Sequence, residues 1–217
     1  MPVTPQPTAP KTPDAKGGRR GAAVTLVTVV GLGVAQALGA FIPREESGRT
    51  VAVSVNPDTS LNVRHVSGKQ YLTVYLDVVG VATACDGITT IDGKPMPRNR
   101  TFTEAECTVL LEKELVTHAQ GVMSCTPGLA LSQNPHLERT REGPRFAAVS
   151  LAYNVGVGAY CGSTARRRFN AGDMAGGCEA ITWYNKAGGR VVRGLVNRRA
   201  KEARVCREGL GALGSVL

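Results

Sequence analysis

The 23 residues from Gly21 to Pro43, GAAVTLVTVVGLGVAQALGAFIP, contain no charged side chain. A bilayer needs roughly 20 apolar residues to be crossed by a helix, so the run is long enough to span one. It must be buried somewhere, and this limits every fold open to the chain. Ahead of it, residues 1–20 are Pro-rich and end in a basic cluster: Lys11, Lys16, Arg19 and Arg20 stand against Asp14 alone. This composition predicts a disordered arm, and positive charge on that flank keeps it cytoplasmic and exports the remainder. The run holds four Gly (21, 31, 33, 39) and five Ala (22, 23, 35, 37, 40). Small residues bury little apolar area, so its hold on a membrane is weak. Three fates fit it: a signal peptide cleaved near AQALGA, a permanent anchor, or a metastable anchor that leaves the membrane.

The six cysteines (Cys85, Cys107, Cys125, Cys161, Cys178, Cys206) all follow residue 84. None forms a CxxC pair, which argues against a thiolate metal site and for up to three disulfides in an oxidising compartment. Fifteen pairings are formally open for six cysteines. His65, His118 and His136 lack the HExxH or HxxEH spacing of a zinc hydrolase, so neither metal nor cofactor is expected. The net charge of +9 favours an anionic partner such as a membrane or cell wall. With 5% aromatic residues and no binding motif, nucleic acid is not expected.

The chain divides into the arm (1–20), the apolar segment (21–43), a polar linker (44–60), a folded domain (61–207) and a short tail (208–217). Within the domain, alternation over residues 69–91 predicts a small antiparallel sheet. TFTEAECTVLLEKELVTHAQGVM follows as a helix, with Thr101 or Thr103 as N-cap and Val109, Leu110, Leu115 and Val116 as its apolar positions. Helical patterns return at RFAAVSLAYNVGVGAY, STARRRFNAG, DMAGGCEAITWY and GLVNRRAKEARVC. A sheet followed by helices is an α+β domain, with a cleft between its two parts. The basic ARRRF stretch reads as a solvated helix face. Trp183 reads as core, or as a platform for a sugar ring.

The segment YLDVVGVATACDGIT (75–89) carries the chemistry. Asp77 precedes a turn at Val78-Val79-Gly80, and Thr83 lies on the returning strand, so a carboxylate and a hydroxyl can bracket a water. Such spacing alone is common and usually structural.

In context it resembles the phage-type lysozymes, the T4-lysozyme-like glycoside hydrolase family. Tyr75-Leu-Asp77-Val-Val-Gly80-Val-Ala-Thr83 is similar to the family's sheet motif. VSLAYNVGVGAYCGST (149–164) is similar to its central helix, and WYNKAGGRVVRGLVNRRAKE (183–202) to its C-terminal signature. The resemblance runs over about residues 61–207. It implies a lysozyme-like domain that cleaves the β-1,4 bond between N-acetylmuramic acid and N-acetylglucosamine in peptidoglycan. Asp77 and Thr83 would handle the water, and Asn154, Ser163 and Thr164 would meet sugar. Residues 21–43 resemble the signal-anchor-release segment of some members, which the host secretion machinery exports, the inner membrane holds, and release delivers to the periplasm. Without a cysteine in the segment, activation by a thiol swap with it is excluded.

One departure stands out. The family's acid Glu lies nine residues before the catalytic Asp, at Gly68 here, or at Ser67-Gly68 with one insertion. No Glu occurs between Glu46 and Glu104. Asp86, in the altered ACDGIT stretch, is the leading substitute. Glu45 or Glu46 arriving as the segment refolds, Glu104, and outright loss of the acid are the alternatives. A lytic transglycosylase and a non-catalytic wall-binding protein are the competing functional readings.

Overall fold

The computed structural model describes residues 23–77 and 80–217; the basic arm and Val78-Val79 lie outside them. The apolar segment forms two helices, α1 (Leu26–Val30) and α2 (Leu32–Ser47). They are separated at Gly31, whose φ of +87° suits glycine. Both helices lie inside the domain. Leu26, Val30, Leu38, Phe41 and Ile42 are fully buried, and they pack in one core with Leu111, Leu115, Phe146 and Leu151. Each large apolar side chain so buried is worth about 1.5–3 kcal/mol, so these five contribute on the order of 10 kcal/mol before chain entropy is subtracted. No helix among the described residues is long and apolar enough to cross a membrane.

The stretch expected as linker is structured. Helix α2 continues through Pro43 to Ser47, and a hairpin follows, β1 (Thr50–Val55) paired antiparallel with β2 (Leu61–Ser67). Gly39 of α2 lets the hairpin approach: a Cβ there would stand 3.2 Å from Val53 and 3.3 Å from Leu61. Two short strand pairs come next, β3 (Tyr75–Leu76) with β4 (Ala82–Thr83), and β5 (Thr90–Ile91) with β6 (Lys94–Pro95). The helical part comprises α3 (Glu104–Cys125), α4 (Pro135–Val155), α5 (Val157–Cys161), α6 (Thr164–Asn170), α7 (Met174–Ile181) and α8 (Arg193–Glu208). A small hairpin, β7 (Lys186–Ala187) with β8 (Arg190–Val191), precedes α8.

Thr103 is the N-cap of α3, in a capping box with Glu106. The buried face of that helix is Cys107, Leu111, Leu115, Ala119 and Val122, whereas Val109 is exposed. Helix α4 begins ten residues before the Arg145 start that its apolar pattern suggests, capped by Asn134. Its polar first turns hide the signal. Three disulfides, Cys85–Cys107, Cys125–Cys161 and Cys178–Cys206, hold the sheet part to α3, α3 to α5, and α7 to α8. Closing loops of this length is worth roughly 3.5 kcal/mol each in the chain-entropy account.

Two buried charges grip the ends of α1. Glu112 of α3 accepts from the Leu26 N–H at 3.3 Å and from the Leu61 N–H at 2.9 Å. At the other end Arg145 of α4, fully buried, donates to the Val30 carbonyl at 3.0 Å and also to those of Leu129 and Ala130. An acid at a helix N-terminus and a base at its C-terminus both match the helix dipole. Glu138 holds Arg145 in place through both carboxylate oxygens, at 2.5 and 3.0 Å. Burial pushes the Glu138 carboxyl up, but the bonds from Arg145 and the Ser132 N–H outweigh it and leave it below the usual range. A depressed carboxyl stabilises the fold above its unfolded value, and that stability is lost as pH falls through the folded value. Glu138→Gln is therefore expected to melt below the parent near neutral pH, with the gap closing as pH is lowered through and below the ordinary Glu value of about 4.3. A gap unchanged by pH in thermal melts would contradict this.

Candidate active site

The β3–β4 pairing sets Tyr75 opposite Thr83 and Leu76 opposite Ala82. The ladder extends by one bond, from the Asp77 N–H to the Val81 carbonyl at 2.9 Å. Alternation then puts Asp77 and Thr83 on one face, as diagonal cross-strand neighbours roughly 7–8 Å apart at Cα. The turn is closed by Asp77 itself: its Oδ1 accepts from the Val81 N–H at 2.8 Å, and its carbonyl accepts from the Gly80 N–H at 3.0 Å. Thr83 is 4% exposed and donates to the Val81 carbonyl at 3.1 Å.

Glu46 sits in the last turn of α2, two residues before Gly48, the left-handed residue that ends the helix. Arg198 of α8 donates to its Oε1 at 2.6 Å. Its Oε2 lies against Gly87 on the turn after β4, where a Cβ would stand only 3.0 Å away. Two tyrosines register the same carboxylate. Burial first, then Tyr71, then the charges of Asp77 and Glu46 raise the Tyr75 hydroxyl above its usual value. Burial and then Glu46 and Asp86 push Tyr153 well up. Glu46 and Asp77 are thus within electrostatic reach of one phenol. Gly87, Tyr153, Thr89, Glu114 and His118 line a cavity of about 150 Å³ beside this point. A larger hollow of about 610 Å³ lies between β2 and the start of α3 and contains neither carboxylate.

Behind Glu46 is a buried charged cluster. Arg198 also reaches Glu202 at 3.2 Å; Glu202 in turn accepts from Arg199 at 2.7 Å and from the Ser150 hydroxyl at 2.6 Å. Burial pushes the Glu202 carboxyl up, against the pull of the two arginines. For Arg198, Glu46 and Glu202 outweigh burial and raise its pKa. Their joint effect is a guanidinium fixed beside Glu46.

The remaining candidates are placed as follows. Asp86 is fully buried, with Arg49 Nε and Nη2 bonded to its two oxygens at 2.8 and 2.7 Å. Glu45 pairs with Lys201 at 2.7 Å. Glu104 accepts from the His65 N–H at the far hollow. Asn154 is half-buried near the end of α4, next to Tyr153. Ser163 is 2% exposed and caps α6, accepting from the Arg166 N–H at 2.9 Å, and Thr164 accepts from Arg167 at 2.5 Å. Trp183 is 53% exposed rather than core, with Arg168 over its ring at 5.4 Å. Among the described residues no group of acids, histidines and cysteines could hold a metal ion.

Spacing along the chain ranks Glu46 behind Asp86, because the β1–β2 hairpin separates it from Asp77. In space the hairpin returns to its starting point. A Cβ on Gly68 would stand 2.8 Å from both the Arg49 Cα and the Gly48 carbonyl oxygen. Ser67-Gly68, where spacing sought the acid, therefore abuts the helix end that carries one. A Glu two residues before a glycine, closing an apolar helix, was the available signal.

Residues 67–202 match the family model described as phage lysozyme, and the chain belongs to that family. The SAR-endolysin of bacteriophage PS119 is 40% identical over 133 residues, covering 61% of this chain and 71% of that protein. The SAR-endolysin of Enterobacteria phage P21 is 37% identical over 142 residues, 65% of this chain and 77% of that one. In fold, the chain is similar to the crystal structure of the active form of the P1 phage endolysin Lyz. That likeness has a TM-score of 0.57 at 18% identity and covers 88% of this chain and 97% of that one.

The contact at Gly87 generates a prediction. Its φ is +80° and its missing Cβ faces Glu46, so Gly87→Ala strains the backbone by about 1–2 kcal/mol and displaces the carboxylate. The variant should melt several degrees lower and lose activity beyond what its folded fraction explains; parental activity per folded molecule would refute the contact's importance.

Proposed function

We propose that the protein is a phage endolysin that hydrolyses the β-1,4 bond between N-acetylmuramic acid and N-acetylglucosamine, with Glu46 as the proton donor. The observation that carries this reading is the contact of the Glu46 carboxylate with Gly87, on the turn that follows β4, which sets the last turn of α2 beside the strand pair of Asp77 and Thr83. Glu46 gives its proton to the leaving glycosidic oxygen as the bond to the muramic anomeric carbon breaks. Asp77 takes a proton from the attacking water, or orients it, with Thr83 holding the water from the same strand face. Arg198 orients the Glu46 carboxylate, and Asn154 remains a candidate sugar contact. Asp86 is the weaker candidate for the acid, because burial and Arg49 keep its oxygens from a substrate.

Glu46 belongs to the segment expected to cross the membrane, which ties activity to location. The chain is exported with its N-terminus in the cytoplasm, is held at the inner membrane by residues 21–43, and becomes active when that segment leaves lipid and docks as α1 and α2. The relatives' SAR-endolysin names support this order of events.

Release of soluble fragments from purified peptidoglycan tests the chemistry. Glu46→Gln and Asp77→Ala should each fall by about 10²–10⁴-fold, the usual worth of a positioned acid or base, while Glu45→Gln stays near the parent. An active Glu46→Gln variant would sink the assignment. Mass spectrometry of the products should show reducing ends; anhydro-muramyl ends would mean a transglycosylase, and no fragments a binding protein. For release, fractionation before and after membrane depolarisation should move the protein to the soluble fraction. Retention in the membrane would contradict the cycle.

A further inference from the structure

A buried ion pair that takes no part in the chemistry above joins the two sides of the site. Asp86 is 0% and Arg49 3% exposed. Both oxygens of Asp86 accept from the Arg49 fork, and Oδ1 also accepts from the Ser47 hydroxyl at 3.0 Å. Ser47 and Arg49 flank Gly48, the residue at which α2 ends, so the pair holds the helix terminus immediately after Glu46. On the other side, Asp86 sits between Cys85, bonded to Cys107 of α3, and Gly87, which touches the Glu46 carboxylate. The Asp86 carbonyl accepts from the Tyr153 hydroxyl at 3.0 Å, which ties the same turn to α4. Burying two charges costs several kcal/mol per ion, and their attraction offsets this only with good geometry. The Arg49 Nη1, buried, has no hydrogen-bond partner among the described residues. Apolar packing would hold a helix end to a turn at less cost. What a bidentate pair adds is direction, because the planar fork fixes both distance and angle.

We propose that Asp86 and Arg49 are positioning residues: their pair sets the Glu46 carboxylate against the strand pair that carries Asp77 and Thr83. The inference rests on the reading of Glu46 as proton donor. The last turn of a helix is where backbone bonds are fewest, so Glu46 would otherwise move with a fraying end. A displacement near 1 Å at a reacting group costs about 10²-fold in rate. The pair also ties the site to the packed position of α2, since Ser47 in its last turn bonds to Asp86 as well.

The test uses the full-length protein in its released, oxidised form and measures kcat, KM, the pH dependence of kcat and the melting temperature. Arg49→Lys keeps the charge but loses the fork, and Asp86→Asn keeps the shape but loses the charge. Measured well below their melting points, both should lose about tenfold or more in kcat, with KM within about twofold and the alkaline limb of the pH profile, which reports the proton donor, retained. Should Asp86→Asn fail to fold, Arg49→Met/Asp86→Leu removes both charges at similar volume. That variant should fold and still show the kcat loss. Parental kcat per folded molecule in these variants would reduce the pair to a fold-stabilising contact and overturn the proposal. Loss of the pH limb in Asp86→Asn, with Glu46→Gln still active, would make Asp86 the donor and overturn both readings. A dead Glu46→Gln beside a fully active Asp86→Asn overturns the positioning role alone.

Discussion

An apolar helix must be covered, and here the cover for residues 26–47 is the domain itself. The rest of the structure follows from that burial. Helices α1 and α2 fill the space between α3, α4 and the β1–β2 hairpin, and their side chains are continuous with the main core. The same docking carries Glu46 to Arg198 and Gly87, and Arg49 to Asp86. Core and candidate site are therefore completed by one event. The small residues of the segment allow close packing here. Gly39 admits the hairpin, and a Cβ on Gly33 would stand 3.0 Å from Leu210. Bulkier side chains at these two positions would push those neighbours aside.

The two polar grips on α1 explain how a helix of five residues keeps a fixed place. So short a helix has almost no intrinsic stability, and most of its terminal N–H and C=O groups lack partners within it. Glu112 and Arg145 supply part of what is missing from opposite ends, at positions where the helix dipole favours each charge. Such buried charges need their partners, which makes the docked segment specific as well as apolar.

Much of this was legible in the sequence. The α+β class, the Thr103 cap, the Asp77–Thr83 strand pair and an even set of cysteines all follow from local chemistry, which short spacings report well. What spacing concealed was non-local. The hairpin between Glu46 and Asp77 lengthens their separation along the chain while Glu46 still lies against Gly87, so spacing alone ranks this carboxylate low. The alternating TVAVSV of β1 lay within a stretch read as linker, because Pro57 and the polar residues around it dominated the local signal. Asp86 stands out as a lone carboxylate in a motif, and the sequence says nothing of its partner. Arg49 is 37 residues away. Val109 and the polar first turns of α4 show the same limit: helical periodicity says which residues share a face, not which face meets the core.

None of the three disulfides reaches the segment before Ser47. All of them lie within residues 85–206, so the helices α3, α4 and α8 that α1 and α2 pack against belong to the cross-linked part of the molecule, whereas α1, α2 and the β1–β2 hairpin do not. Closing the disulfides therefore involves no residue of α1 or α2. A reductant would loosen the walls of the binding groove while leaving the helices that occupy it covalently untouched. The cross-links and the apolar segment thus belong to different parts of one chain, and they meet in the packing between them.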